Sequence, residues 1–291
     1  MNCQTQSGGG RLTDDNQRSL ERDAARFGKW REFGREECTQ LHFALATDGQ
    51  KRMGSRQGID ALFDWHRSSQ LPAYAALMVT AQRQVLEATT PELACRWQRQ
   101  VRDLLDPTLQ RALVLAAEQS AGLGEAQIRH LEQRYAKGNV EMREEFLQPD
   151  AAERQAKSVE RAVERAERLY GRLAPAQLQV VREGVQSSPF DAALWLQERQ
   201  RRQREVLDTL RRLGTDKADT EQRLAAMRAL AAHTEVSPNP VYRSYQLKLT
   251  DYNCALAARI HNAAPLAQRR QARETLRGWE EDLRALAVPT V

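Results

Sequence analysis

Five histidines, His42, His66, His130, His233 and His261, are the residues of this chain best suited to acid–base or metal chemistry. No two stand four residues apart, so none forms the helical metal pair of an H-E-x-x-H site. His66 and His261 could converge in space, yet a structural role fits each of the five better. There is no phosphate loop, no G-x-G-x-x-G, no G-x-S-x-G and no C-x-x-C. Acidic residues are abundant but read as the polar faces of helices. No catalytic residue, cofactor or metal site is therefore expected. One charged run remains: "QERQRRQRE", residues 197–205, holds no apolar residue. Arg199, Arg201, Arg202 and Arg204 could form an anion-binding strip along it. The plainer reading, which we adopt, is a solvated helix face held by pairs such as Glu198 with Arg202.

A second stretch asks for explanation. In "FDWHRSSQLPAYAALM", residues 63–78, a tryptophan, a histidine and an arginine stand in a row shortly before a proline. The pattern predicts a helix ending near Arg67 or Ser68, a corner, and a new helix beginning after Leu71. Pro72 suits a first helical position and disfavours helical geometry at Leu71. Trp65 and His66 would then pack at the corner, with ring nitrogens bonding the carbonyls freed at the helix end.

The elements that must carry these residues are helical. Of 291 residues 41% are hydrophobic and 29% charged, with 6% aromatic and few glycines or prolines, a profile that suits an all-α fold. Thr89-Thr90-Pro91-Glu92 is a helix start with a hydroxyl cap and proline at the first position. "SVERAVERAERLYGRL" places Val159, Ala162, Val163, Ala166, Leu169, Tyr170 and Leu173 on one stripe, and Gly171 supplies a stop. Ser188-Pro189 opens another helix, and a further one follows Pro240. In "LATDGQ", "LGEAQ", "LAPAQ" and "APLAQ" a glutamine recurs in the first turn, where it can reach back to free backbone donors. We expect an array or bundle of roughly eight to ten amphipathic helices and no strand.

Charge and targeting signals bound the setting. The net charge of +5 comes from 44 basic residues interspersed with 39 acidic ones, which does not favour a nucleic-acid partner. No run of 18 apolar residues is present, so no transmembrane helix is encoded. Residues 1–42 carry the "SGGG" run, little apolar periodicity and no signal-peptide core. They are expected to form a poorly ordered arm before a helical domain spanning 43–291. Read literally, the chain is cytoplasmic.

From about Phe43 to Leu286 the chain resembles a family of Gram-negative, proteobacterial lipoproteins of unknown function. The resemblance rests on "LFDWHRSSQLPAYAALM", "HLEQRYAKGNVEMREEFLQPD", "SVERAVERAERLYGRL", "SPFDAALWLQERQRRQ", "YRSYQLKLTDYNCALAARIHN" and "LRGWEEDLRAL", in that order. It implies a lipid-anchored, all-helical protein of the cell envelope, facing the periplasm, whose partner is another envelope protein. It implies no reaction. The N-terminus departs from the pattern, because no apolar stretch precedes Cys3 and the anchor is absent from this chain as written. Residues 1–42 are compositionally foreign and read as a start-site or frame difference.

Export would make the cysteines informative. Cys3 and Cys38 lie in the arm, whereas Cys95 and Cys254 sit in stretches shared with the family, and an even pair in an exported body is read as a disulfide. The helical wheel sets Cys254 with Leu247 and Ala258, and Cys95 with Val101 and Leu105, on core-facing sides. The expected function is a non-enzymatic envelope scaffold or interaction protein. The alternatives are a periplasmic steric foldase or chaperone, and a cytoplasmic Arg-rich protein that binds nucleic acid or anions.

Overall fold

Capping chemistry fixes where the helices begin. Thr90 accepts from the Leu93 amide with Pro91 at the first helical position, and Asn239 accepts from the amides of Val241 and Tyr242 with Pro240 following. Asp150, Asp191 and Asp219 cap three more starts. In two of the glutamine turns the side chain does reach back: Gln127 accepts from the Gly124 amide at 3.0 Å and Gln177 from the Ala174 amide at 3.2 Å. The helix expected after Ser188-Pro189 starts later, at Ala192. A carboxylate at Asp191 takes both the Ala193 and Leu194 amides, while the Ser188 hydroxyl accepts only from Phe190.

The computed structural model describes residues 49–287, with side chains from residue 57 onward. The arm of residues 1–42, with Cys3, Cys38 and His42, lies outside the described residues. Ten α-helices follow in order: α1 Gly49–Trp65, α2 Leu71–Gln84, α3 Pro91–Ser120, α4 Glu125–Phe146, α5 Ala151–Tyr170, α6 Pro175–Gln186, α7 Ala192–Thr215, α8 Thr220–Glu235, α9 Pro240–Asn262 and α10 Leu266–Ala287. No strand occurs among the described residues. The fold is all-α.

Between α1 and α2 the structure corrects the expected corner. Residues His66–Gln70 form a π-helical turn, and the Leu71 amide donates to the His66 carbonyl, five residues back. Leu71 is itself helical, at φ −59° and ψ −40°. Proline lacks an amide hydrogen, and its ring crowds the carbonyl four residues earlier. Widening one turn relieves the crowding without ending the helix. The chain therefore runs helically from Gly49 to Gln84, so the ten helices make nine rods.

Two apolar cores hold the array. One gathers Leu113, Ala116 and Ala117 of α3, Ile128, Leu131 and Tyr135 of α4, Leu207, Leu210 and Leu213 of α7, and Met227 of α8. The other gathers Val85, Tyr170, Leu173, Val181, Ala264, Ala272 and Leu276, with the stripe residues Ala162, Val163, Ala166 and Leu169 packed against it. The 30-residue α3 and the 23-residue α9 pack against each other. The sulfurs of Cys95 in α3 and Cys254 in α9 are bonded, with Cα atoms 5.2 Å apart and the two residues 159 positions apart in sequence.

The wheel neighbours assigned to those cysteines need correction. Val101, Leu105 and Leu247 are all exposed, whereas Ala258 is buried. Neither apolar cluster includes a residue from the middle of α3 or from the first half of α9, where Val101, Leu105 and Leu247 meet solvent while Tyr242 is buried.

Candidate functional site

The charged run in α7 is where polar side chains converge. Its neighbours bury it: the helix packs on α4 and α8, and the Val236–Asn239 connector folds back to place Ser237, fully buried, beside Glu198. Glu198 is only 2% exposed. One carboxylate oxygen accepts from Arg201 Nη2 at 2.9 Å, Arg202 Nε at 3.2 Å and Ser237 Oγ at 2.8 Å; the other accepts from Arg201 Nε at 2.9 Å. Burial alone would raise the Glu198 pKa. The hydrogen bonds from Arg201 and Ser237 and the two arginine charges outweigh it and hold the carboxyl below its ordinary value.

From Arg201 the network continues to α8. Its Nη1 donates to Glu205 at 2.8 Å, and Glu205 also bonds His233 Nδ1. Burial would raise Glu205 too, but hydrogen bonds from His233 and Arg201 keep it ionised below the usual carboxylate range. These groups line one wall of a groove of about 600 Å³ between α7 and α8, together with Arg204, Asp208 and Thr209. On the α4 side, Asn139 donates to Gln203 at 2.7 Å and accepts from Arg199 Nε at 3.0 Å. Arg202 also lies over the Tyr242 ring, 5.5 Å from its centroid.

This geometry overturns both sequence readings of the run. It is not a solvated face, because Glu198 and Gln203 are buried. Nor do the four arginines form an anion strip. Arg201 and Arg202 are bonded to Glu198, Arg199 turns to Asn139, and only Arg204 faces the groove as an exposed side chain. The i,i+4 pair of Glu198 with Arg202 is present as read from spacing. Sequence reasoning missed Ser237, Asn139 and His233 as partners of this run. They lie 28 to 64 residues away, beyond the reach of any periodicity.

The described histidines do not converge. His66 is half-buried and meets the Tyr74 ring edge-on at 5.5 Å. No hydrogen bond to its ring is seen among the described residues, since the helix continues through this point instead of ending there. Beside it Trp65 carries the Arg111 guanidinium 4.1 Å over its ring, and Pro72 is exposed. Burial holds the His66 pKa below 6.5. Its contribution to stability is thus present above 6.5 and lost as pH falls through that value, because the unfolded imidazole takes the proton first. His66→Ala should cost about 0.5–1.5 kcal/mol, the scale of an edge-on ring pair, read by thermal denaturation at pH 8. No group of three or more His, Cys, Asp or Glu side chains among the described residues could hold a metal.

The model of a family of unknown function, DUF6279, matches residues 45–231. The chain belongs to that family. No curated protein and no solved structure matches it. The DUF6279 span takes in the π-helical turn, the whole charged run of α7 and Cys95. Cys254, His233, Ser237 and His261 all lie beyond it. The staple and the Glu198 network therefore each tie a residue of the DUF6279 span to the chain that follows it.

Proposed function

We propose that this DUF6279 protein is a non-enzymatic helical scaffold or interaction protein of the cell envelope, facing the periplasm in the manner of a lipoprotein. The observation that carries the reading is the Cys95–Cys254 bond. Disulfides persist in oxidising compartments such as the bacterial periplasm and are rare where thiols are kept reduced. The resemblance to proteobacterial lipoproteins supports the same compartment, with another envelope protein as the partner. A scaffold role is favoured over chemistry because the buried carboxylate of α7, Glu198, is bonded to Arg201, Arg202 and Ser237. That pairing engages Arg201 and Arg202 with a carboxylate, which weighs against their meeting a phosphate backbone. No helix of the described residues is long and apolar enough to cross a membrane, so on this reading attachment is through a lipid.

The test is differential alkylation in intact cells followed by fractionation. Cys95 and Cys254 should resist a membrane-permeant alkylating reagent until a reductant is added, and the protein should sediment with the envelope. Two freely alkylated thiols in a cytosolic fraction would end the proposal.

A further inference from the structure

The first half of α3 is a helix with little core beneath it. No residue from Pro91 to Ala112 belongs to either apolar cluster, and Val101, Leu105 and Leu109 along it are 43–51% exposed. The second half differs, because Leu113, Ala116 and Ala117 are buried in the first core. Pro107 stands between the halves, inside the helix. Proline brings no amide hydrogen, so the Asp103 carbonyl loses the partner that an unbroken ladder would supply.

Polar ties and one covalent bond hold this half in place. Trp97 Nε1 donates to Gln84 Oε1 at 2.8 Å, and Arg102 meets Glu235 at 3.8 Å with both side chains more than half exposed. Exposed ties of this kind add little stability. The contact between the Tyr74 and Thr108 hydroxyls, at 3.4 Å, and the stacking of Arg111 over Trp65 both lie beyond the proline. The covalent bond is Cys95 to Cys254.

The neighbours on either side are fixed without that bond. In α9 the Tyr252 hydroxyl donates to the Gly184 carbonyl at 2.6 Å, and His261 bridges the Glu87 carbonyl at 2.6 Å and the Tyr170 hydroxyl at 2.8 Å. Thr89 and Asn262 share two bonds of 2.9 Å, which pin the turn before α3. When the sulfur bond opens, α9 and the turn therefore stay in place. The stretch between the turn and Pro107 is left to its own helical stability. Helices shorter than about 12–15 residues are marginal in water without packed neighbours, and Pro91–Asp106 is close to that length.

We propose that the Cys95–Cys254 bond is a redox switch for this half of α3: closed, it pins the segment to α9, and reduced, it lets Cys95–Asp106 open locally while both cores stay folded. Cys95 is half-buried and Cys254 is 4% exposed, so an incoming thiolate meets the Cys95 sulfur. A dithiol reductant balances the reaction. Its first thiolate bonds to Cys95, and Cys254 leaves as a thiolate that takes up a proton, with Gln98 Oε1 3.6 Å from its sulfur as acceptor. The second thiol of the reductant then displaces Cys95, which is protonated in turn. Two electrons and two protons pass to the protein, and the reductant becomes a disulfide. The switch rests on the bond that also carries the envelope reading, but its test on purified protein is independent of compartment.

Hydrogen exchange read by mass spectrometry tests it on the full chain, oxidised and then treated with dithiothreitol. Reduction should lower the protection of Cys95–Asp106 relative to that of Leu113–Ser120 by about a hundredfold or more. A loss shared equally by the two halves would mean that the bond acts on global stability alone, and it overturns the switch, as does no loss. Pro107→Ala restores the missing amide hydrogen and joins the halves into one ladder. In reduced P107A the difference between the halves should shrink by about tenfold, and a difference equal to that of the wild type refutes Pro107 as the boundary. The double variant Cys95→Ser, Cys254→Ser should show the reduced pattern with no reductant present. A protected segment there would mean that dithiothreitol acts elsewhere in the chain, and it overturns the proposal.

Discussion

Replacing Cys95 and Cys254 together by serine should lower the unfolding free energy by about 5 kcal/mol, the chain-entropy value for a closed loop of this length. The bond joins residues 159 apart, so the unfolded chain loses much conformational freedom when it is closed. Cys254 is 4% exposed and its neighbour on α9, Ala258, is 3% exposed, so the serine hydroxyl at 254 would also be buried, with Gln98 Oε1 as its nearby acceptor. The measurement is a urea titration of the double variant against the oxidised wild type. Reduction of the wild type should reproduce most of the loss. A loss below about 1 kcal/mol would mean that packing alone keeps α3 against α9. The variant should show a larger denaturant slope, because its unfolded state is more expanded.

The contrast between this staple and its predicted surroundings shows what a sequence can carry. Cysteine is a discrete signal, and the resemblance to exported proteins turned two of four cysteines into a pair. The wheel arguments for their neighbours failed, because a wheel finds an apolar stripe without saying what lies opposite. Val101, Leu105 and Leu109 form such a stripe along α3 and are 43–51% exposed. Helix starts were legible for a different reason. A cap at Thr90 or Asn239 followed by proline satisfies local backbone donors and needs no distant partner. Proline at position 72 was read as a break because the same residue serves equally in a corner and in a widened turn. The structure shows the widened turn, with Leu71 helical and its amide bonded to the His66 carbonyl. The match of the family model from residue 45 falls close to the compositional change read near Phe43.

The charged run of α7 was the least legible part. Polar composition normally marks a solvated face, and only tertiary contact makes Glu198 an exception. Its burial leads to the second large effect. Glu198→Ala should cost about 3–5 kcal/mol, the range for breaking a buried ion pair from one side. It removes the carboxylate partner of Arg202, leaves Arg201 with Glu205 alone, and strands the hydroxyl of Ser237, which is fully buried and donates to the carboxylate. Glu198→Gln keeps the shape but sets an amide donor against the surrounding donors, so it should cost less than alanine and still destabilise. Acid separates this effect from that of the histidines. A carboxyl held below 4.5 in the folded state contributes stability above that pH and loses it as pH falls toward the folded value. The wild type should therefore show one loss of stability beginning near pH 6.5 from His66 and His261 and a further loss below about 4.5. In E198A the Glu198 share of the lower step should vanish while the upper one remains. An unchanged lower step, or a cost under 1 kcal/mol for the alanine variant, would show that the arginines of α7 are held by packing rather than by Glu198.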